Sequence, residues 1–341
     1  VDAPYKGNTD TPIIWFEITN ENNVVLHSPK VEMGQGTFTS LAQMAADELE
    51  VSMNQITVVH ADSASGNMDA VATGGSTSVS ALWIPLRELA ATMREMIKIE
   101  AAKKMQVDVS EITIADGVFS SGDKTMSYAQ VAEGVKDWDV PKTPELKPIS
   151  DYKYVGKPIA RVDLDDKVFG SPIFGMDATM PEMLYGAVVR PVRIGSKYVG
   201  ADTTRAEGMP GVVKIVKEKD FVGVVANSLI EAENAKEAID VQWETQGDIQ
   251  TSDIRDMVEV GKGKPYIIQK EGDAENILKN SDTTIVSEYW SPIGAHAQIE
   301  PSGAVAYVEA DKATIMISTQ VVNITRGEIA ERLGFDATQV N

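Results

Sequence analysis

The chain has 341 residues and a formal net charge of −20 at pH 7, with 43% hydrophobic and 24% charged residues. This length favours two or three domains over a single core. The composition is that of a soluble globular protein, and the absence of a run of about 18 apolar residues predicts no membrane span. The acidic balance argues against nucleic acid as a partner, because phosphate binding needs clustered Lys and Arg.

The chain contains no cysteine and only three histidines, His27, His60 and His296. Without thiolates it cannot ligate an iron–sulfur cluster or form a disulfide. The histidines are far apart and show no metal-ligand spacing. We therefore interpret them as core or surface side chains and predict no metal site made by the protein itself.

The first 135 residues combine strands and helices. Strands are predicted at 13–18 and 24–26, on either side of an Asn-rich turn, and at 56–59. Helical spacing of apolar residues predicts a helix over 39–50 and a longer one from about 78 to 104. Pro85 falls in the first turns of the long helix, where a missing N–H is tolerated.

The remainder begins with a Pro- and Lys-rich stretch at 137–160, which is typical of a linker. Strands are then predicted at 184–189, 212–216, 222–226, 284–286, 304–308 and 313–318. Helices are predicted at 228–239 and 324–333, and Gly334 is a suitable C-terminal cap for the second. Strands mixed with helices in this way indicate an α+β fold. The last six residues lead towards a further strand.

A first candidate site is the segment Glu32-Met33-Gly34-Gln35-Gly36-Thr37. Two glycines bracket a polar amide between a strand and a helix, so backbone N–H groups can approach a ligand close to the positive end of the helix. The side chain of Gln35 can both donate and accept hydrogen bonds, which suits a pterin or an oxo ligand. A simple turn between strand and helix is the structural alternative.

A second candidate site is Thr73-Gly74-Gly75-Ser76-Thr77-Ser78, at the start of the long helix. Its glycines, hydroxyls and helix start are the components of a phosphate or pyrophosphate nest. It is not a P-loop, because no Gly-Lys-Ser/Thr follows. The alternative is an ordinary N-cap, with Ser76 or Ser78 satisfying free N–H groups.

Both segments resemble cofactor-contacting motifs of the xanthine dehydrogenase and aldehyde oxidase superfamily. The second one, with Trp83 and Leu86-Arg87 after it, is similar to the large (beta) subunit of the isoquinoline 1-oxidoreductase branch, whose cofactor motifs lie near the N-terminus. The resemblance covers nearly the whole chain, with motifs in family order. It continues through the segments 155–158, 161–163, 167–170, 183–187, 209–213, 232–238, 241–243, 295–301 and 318–320.

The resemblance implies which residues contact a molybdopterin: Gly34, Gln35, Gly36, Thr37, Gly74, Gly75, Ser76, Thr77 and Ser78. Gln320 matches the glutamine that hydrogen-bonds an oxo ligand on molybdenum in the family. Its structural alternative is a strand-end amide that caps the next helix. Glu300-Pro301 matches a part of the pocket wall, and His296 a structural position.

The resemblance implies an α+β molybdenum-cofactor-binding domain, present in part, with an inserted α/β-hammerhead domain. The expected divisions are a first molybdopterin-binding part at 1–136, a linker at 137–160, a hammerhead-like domain at 161–245, a connector at 246–281 and the start of a second molybdopterin-binding stretch at 282–341.

The implied activity is that of a molybdenum hydroxylase, an oxidoreductase that adds water-derived oxygen to an aldehyde or an N-heterocyclic aromatic compound. The implied cofactor is molybdenum-molybdopterin, with the cytosine dinucleotide as one form. Because the chain has no cysteine, the electrons must pass to a partner: a small subunit with 2Fe–2S clusters, with a cytochrome c as a further candidate. Oligomers are compatible with this interpretation.

Two elements of the family are expected after Asn341: a glycine-rich loop and the glutamate that acts as general base. We therefore expect a chain truncated at its C-terminus and inactive by itself. The first residues, from Val1 to Tyr5, include no Met and no leader-like stretch, so either a leader has been removed or the sequence starts inside a gene. The resemblance favours an exported or periplasmic protein. The alternative function is a noncatalytic binding or interaction protein that keeps the scaffold without the metal.

Overall fold

The computed structural model describes residues 15–63, 72–171, 174–193, 195–245 and 247–341. Two groups of residues form compact units: Val1–Ala178 together with Glu300–Asn341, and Thr179–Ile299. The predicted strand at 13–18 lies partly outside the described residues, as do the first residues of the chain. Among the residues described, no helix is both long enough and apolar enough to cross a membrane.

The first sheet of the first unit has three strands in the order β1-β2-β3. β1 (Phe16–Ile18) runs antiparallel to β2 (Val24–Ser28), and β3 (Ile56–His60) is parallel to β2. Asn22 adopts a positive φ of 63° in the connecting turn, a conformation that Asn tolerates better than most residues. The strands predicted at 24–26 and 56–59 are confirmed, and so is the described end of the strand predicted at 13–18.

Two helices pack against each other, and the first of them also lies on this sheet. α1 spans Thr37–Leu49 and α2 spans Ser78–Met105, close to the predicted bounds. Pro85 lies inside α2, seven positions after Ser78, as the predicted bounds imply. The apolar faces of both helices are buried with the sheet in the main core, whose members include Trp15, Leu26, Leu41, Leu49, Leu82, Leu86, Phe119 and Tyr128.

Several short elements of the first unit are absent from the sequence prediction. They are β4 (Thr113–Ala115), β5 (Val118–Ser121), β6 (Lys124–Ser127), α3 (Tyr128–Ala132) and α4 (Leu164–Phe169). Strands of three or four residues are too short for a period of two to emerge. Tyr128 connects α3 with β5 and with the end of α1, because its ring stacks on Phe119 and its hydroxyl donates to the Leu49 carbonyl at 2.5 Å.

Part of the predicted linker at 137–160 is fastened to α1. The carboxylate of Asp47 accepts hydrogen bonds from three successive N–H groups, those of Lys153, Tyr154 and Val155, at 2.7–3.3 Å. Gln43 donates to the Tyr154 carbonyl at 2.7 Å. This stretch therefore packs against the helix, although its proline and lysine content is typical of a free connection.

Nearby, the fully buried Glu48 forms an ion cluster with α2. Its carboxylate accepts from Arg87 at 2.8 Å and from Arg94 at 3.3 Å, and also from the Lys147 N–H at 3.1 Å. The cluster joins α1, α2 and the segment around Lys147.

The last part of the first unit begins with a hairpin of β12 (Ala304–Val308) and β13 (Ala313–Ile317). α9 (Val322–Leu333) follows and ends at Gly334 in the left-handed conformation, as predicted. Asn341 exchanges backbone hydrogen bonds of 2.8 Å with β13, in parallel orientation.

The described residues of the second unit form two antiparallel sheets. β7 (Tyr185–Val188), β10 (Val222–Ala226) and β9 (Val212–Lys217) form one, and β11 (Asp240–Glu244) pairs with β8 (Lys197–Asp202) in the other. The helices of this unit are α5 (Thr204–Glu207), α6 (Leu229–Glu237), α7 (Thr251–Val258) and α8 (Ala274–Asn280). The strands and helix predicted between 184 and 239 are confirmed.

The strand predicted at 284–286 is wrong. Ile285 and Val286 are each 88% exposed and belong to no strand, because no neighbouring strand pairs with them among the described residues. The mixture of helices and largely antiparallel sheets confirms the α+β class. The two compact units do not follow the predicted domain boundaries, since residues 161–178 and 282–299 group differently; the assignment of these parts to family domains stays a prediction.

Candidate functional site

Three segments that are distant in the sequence meet at Thr73. The hydroxyl of this residue, which is 3% exposed, accepts the Val31 N–H at 2.9 Å. Its own N–H donates to the Gln320 carbonyl at 2.8 Å. Thr73 thus ties two other segments to the second glycine segment: Val31, directly before the first glycine segment, and Gln320, shortly after β13.

Gln320 follows β13 closely in the chain and lies beside the second segment. A Cβ placed on Gly74 would be 3.7 Å from the Gln320 Nε2. The Gln320 side chain is exposed and makes no hydrogen bond to the part of the chain that the structure describes. It does not cap α9, whose N-cap, Val321, has no side-chain cap bond. The amide is therefore available to a ligand at this place.

The second glycine segment forms a tight turn before α2. Gly75 and Ser76 both have positive φ values, 61° and 55°. The turn is closed by Thr77, whose hydroxyl donates to the Gly74 carbonyl at 2.9 Å and whose N–H donates to the same oxygen at 3.3 Å. A glycine is well suited to the first position, and Ser76 accepts a conformation that most side chains avoid.

The start of α2 carries unsatisfied hydrogen-bond donors. The helix is 28 residues long, with neither a side-chain cap bond at its N-cap nor an acidic residue in its first turn. Among the described residues, nothing accepts the N–H groups of Gly75, Ser76 and Ser78 or bonds to the two serine hydroxyls. The serines therefore do not act as N-caps. These donors and the positive end of the helix favour an anion.

The first glycine segment is arranged differently, because its N–H groups already bind a carboxylate of the chain. Glu32 accepts the N–H groups of Gly34 at 2.8 Å, Gly36 at 3.1 Å and Phe38 at 3.0 Å. Gly36 is the N-cap of α1 and has a φ of 81°. The carboxylate of Glu32 therefore occupies the place at the start of α1 where the sequence predicts a ligand.

The side chain of Gln35 also braces this segment. Its Oε1 accepts the Met33 N–H at 2.7 Å, and its Nε2 donates to the Val31 carbonyl at 2.8 Å. The N–H groups of Gln35 and Thr37 have no acceptor within the described part of the chain. A ligand at this segment would meet these two groups first.

A basic side chain, Arg161, flanks Glu32. Arg161 donates to the Glu32 carboxylate at 3.2 Å, to the Gly34 carbonyl at 2.8 Å and to both oxygens of Asp163 at 2.9 Å. Burial raises the pKa of Glu32, but the backbone donors and the Arg161 guanidinium outweigh it, so this pKa lies below its ordinary value. The Arg161 guanidinium, with Lys167, likewise holds the pKa of Asp163 well below its usual range.

His60 supports the same loop from β3. Its Nε2 accepts the Glu32 N–H at 3.2 Å, and its ring meets the Phe38 ring edge to face, with 4.9 Å between centroids. Desolvation lowers the pKa of His60, and the negative charge of Glu32 only partly offsets this effect. An imidazole that accepts an N–H must be neutral at that nitrogen. Within the described residues, no group of three or more His, Asp or Glu side chains is arranged to hold a metal ion.

Glu300, which the resemblance assigns to the pocket wall, makes a hydrogen bond within the chain. Its carboxylate accepts the Met176 N–H at 2.8 Å. The sequence did not predict the roles of Thr73, His60 and Arg161. The only signal was their place within or beside the recognised segments, since spacing alone reveals no hydrogen bonds between residues about 130 positions apart.

Two sequence models of protein families match the chain, and both are described as a molybdopterin cofactor-binding domain. One matches residues 3–189 and the other residues 260–341. Together they include both glycine segments, Arg161 and Gln320.

Several curated proteins are similar over most of the chain. A nicotinate dehydrogenase subunit of Pseudomonas putida is 29% identical over 96% of the chain and 28% of its own length. Membrane-bound aldehyde dehydrogenase [pyrroloquinoline-quinone] of Gluconacetobacter polyoxogenes is 30% identical over 87% and 41%. The beta chain of isoquinoline 1-oxidoreductase of Brevundimonas diminuta is 24% identical over 95% and 48%. The chain thus spans between about a quarter and a half of these relatives.

Among solved structures, quinoline 2-oxidoreductase from Pseudomonas putida 86 is 16% identical, with a TM-score of 0.42 over 54% of this chain and 29% of that one. Aldehyde oxidoreductase from Desulfovibrio gigas is 21% identical, with a TM-score of 0.42 over 52% and 25%.

Proposed function

The chain belongs to the family of molybdopterin cofactor-binding domains, in the xanthine dehydrogenase and aldehyde oxidase superfamily, and from this premise we propose that it forms part of the large subunit of a molybdenum hydroxylase. The observation that carries the proposal is the meeting of the second glycine segment with Gln320. It places an unused side-chain amide beside a turn and a helix start that are rich in unused donors.

The anionic tail of the cofactor is proposed to lie at the start of α2. The N–H groups of Gly75, Ser76 and Ser78 are open there within the described part of the chain, and no carboxylate lies in the first turn. The first segment is proposed to contact the cofactor through the N–H groups of Gln35 and Thr37, since Glu32 holds the neighbouring ones.

A bound molybdenum-pterin cofactor would supply the redox chemistry. The chain's own contribution is to bind and orient it. The Gln320 amide, as a donor and acceptor at the edge of the second segment, would fix the orientation of the metal end. The donors around Ser76 would bind an anionic group of the cofactor, and Thr73 would hold the Gln320 backbone against this segment.

The substrate class we propose is an aldehyde or an N-heterocyclic aromatic compound. The support is the naming of the relatives, which are called nicotinate, aldehyde and isoquinoline oxidoreductases or dehydrogenases. We propose the cytosine dinucleotide as a form of the cofactor, because the donors at the start of α2 suit a pyrophosphate.

For the electron path we propose a partner subunit with 2Fe–2S clusters, with a cytochrome c beyond it. The support is that this chain offers no thiolate ligand for a cluster. An exported location is proposed on the resemblance to the isoquinoline oxidoreductase branch, and fractionation of the host cells tests it.

A charge substitution at Ser76 tests the cofactor site. Asp and Asn both tolerate the left-handed conformation of this residue, so Ser76→Asp and Ser76→Asn differ mainly in charge. In the protein as its gene encodes it, purified with its subunits, Ser76→Asp is expected to weaken retention of molybdenum and pterin by about tenfold through like-charge repulsion. Ser76→Asn is expected to retain them. Equal contents in both variants would contradict the proposed position of the anion.

A further inference from the structure

We infer that Glu32 is a positioning residue for the cofactor: as a built-in anion, it sets the first glycine segment in its binding conformation before any cofactor arrives. This inference rests on the proposed function and adds a residue to it. The Glu32 carboxylate divides the N–H groups of the segment into those that hold the loop and those that are left for a ligand.

The division follows from the hydrogen bonds of alternate residues. Glu32 accepts from Gly34, Gly36 and Phe38, at 2.8–3.1 Å. The intervening N–H groups of Gln35 and Thr37 have no acceptor among the residues described. A loop whose alternate donors are held by one carboxylate cannot turn those donors to a ligand without losing charge-assisted bonds.

The charge of Glu32 also changes the field at this place. Its side chain is 6% exposed and contacts the first turn of α1 through the Phe38 N–H. A carboxylate there neutralises the positive end of the helix. The two glycine segments therefore have different roles. The partial positive charge at the start of α1 is already neutralised by Glu32, whereas that at the start of α2 attracts the anionic tail of the cofactor.

Arg161 keeps this carboxylate in place. Its guanidinium bridges the Glu32 carboxylate and the Gly34 carbonyl, so it contacts both the anion and the loop that the anion holds. Asp163 orients the guanidinium through two bonds of 2.9 Å. The loop is thus held through its N–H groups by Glu32 and through a carbonyl by Arg161.

Hydrogen exchange resolved to single amides tests the inference in the wild-type protein, isolated with its subunits from hosts that make or lack the pterin. The amides of Gly34 and Gly36 are expected to be protected equally in both forms, and that of Gln35 to be protected only in the loaded form. Protection of Gly34 and Gly36 that appears only on loading would overturn the inference.

The matched variants are Glu32→Gln and Glu17→Gln. Glu17 has a side chain 64% exposed and pairs with His27 at 3.5 Å, so its variant controls for a lost carboxylate elsewhere. In cofactor-free protein, Glu32→Gln is expected to speed exchange at the Gly34 or Gly36 amide by about tenfold or more, because a charged acceptor is lost.

Loaded protein separates positioning from simple stability. The pterin and molybdenum content per folded molecule is expected to fall at least about tenfold in Glu32→Gln and to stay at the wild-type level in Glu17→Gln. A normal content in Glu32→Gln would overturn the positioning role. A wild-type protein without molybdenum would instead overturn the proposed function, while the exchange of cofactor-free protein would still report on Glu32. If Glu32→Gln does not fold, the wild-type exchange pattern decides alone.

Discussion

Replacing Thr73 with valine removes the hydroxyl that joins two segments of the site. Valine keeps a similar shape, but the Val31 N–H loses its acceptor at 2.9 Å. Since Thr73 is 3% exposed, water has little access to replace the hydroxyl. An unpaired, largely buried donor costs about 1–3 kcal/mol, which corresponds to roughly fivefold to 150-fold in a local opening equilibrium.

The effect should be confined to one side of the junction. The backbone bond from Thr73 to the Gln320 carbonyl survives the substitution. Hydrogen exchange at the Val31 amide is therefore expected to accelerate by about tenfold in Thr73→Val, with exchange at Thr73 itself nearly unchanged.

Thr73→Ser is the matched control, because it retains the hydroxyl and loses a methyl group. Its Val31 amide should exchange close to the wild-type rate. Equal acceleration in the serine and valine variants would refute the reasoning, since packing and not the hydrogen bond would then hold the segment. Unchanged exchange in Thr73→Val would refute it as well.

Three further predictions concern stability, each read from thermal unfolding of the purified protein. Glu48→Gln removes a fully buried charge between two arginines and should cost about 3–5 kcal/mol; a loss as small as that of an exposed ion pair would contradict it. Gly36→Ala should cost about 1–2 kcal/mol, because its φ of 81° strains a side chain, and an unchanged midpoint would show that the loop relaxes. His60 has a lowered pKa, so its contribution is complete above about pH 6.5 and is lost as the pH falls through the folded-state value. His60→Gln should flatten this part of the pH profile, and a profile that remains steep would assign it to other groups.

Helical periodicity predicted α1 and α2 because both helices bury a continuous apolar stripe, which a sequence displays directly. The sequence did not predict β4 to β6, since strands of three or four residues show no reliable alternation of apolar and polar side chains. The segment at 284–286 has strand-forming residues but no partner among the described residues, and strand formation depends on pairing that the sequence does not display.

The glycine segments of the candidate site were recognisable from the sequence. The sequence did not show that N–H groups of the first segment bind a carboxylate of the chain, whereas several of those in the second have no acceptor among the described residues. Nothing in the motif around Gly34 indicates that the Glu32 carboxylate binds the N–H groups of its own loop. This contact depends on the rotamer of the Glu32 side chain and on Arg161, which is far away in the sequence. The closeness of Gln320 to Gly74 similarly results from a long-range contact. The sequence predicted it only through the family resemblance.

The most direct test of the proposed function is elemental analysis, with pterin fluorescence after oxidation, of the protein purified from its native host as its gene encodes it. We predict about one molybdenum and one pterin for each copy of this chain, because the second glycine segment and Gln320 of each copy form one such site. Protein that is folded and carries zinc or no metal, and that releases no fluorescent pterin, would contradict the proposal and would favour a scaffold that binds without catalysis.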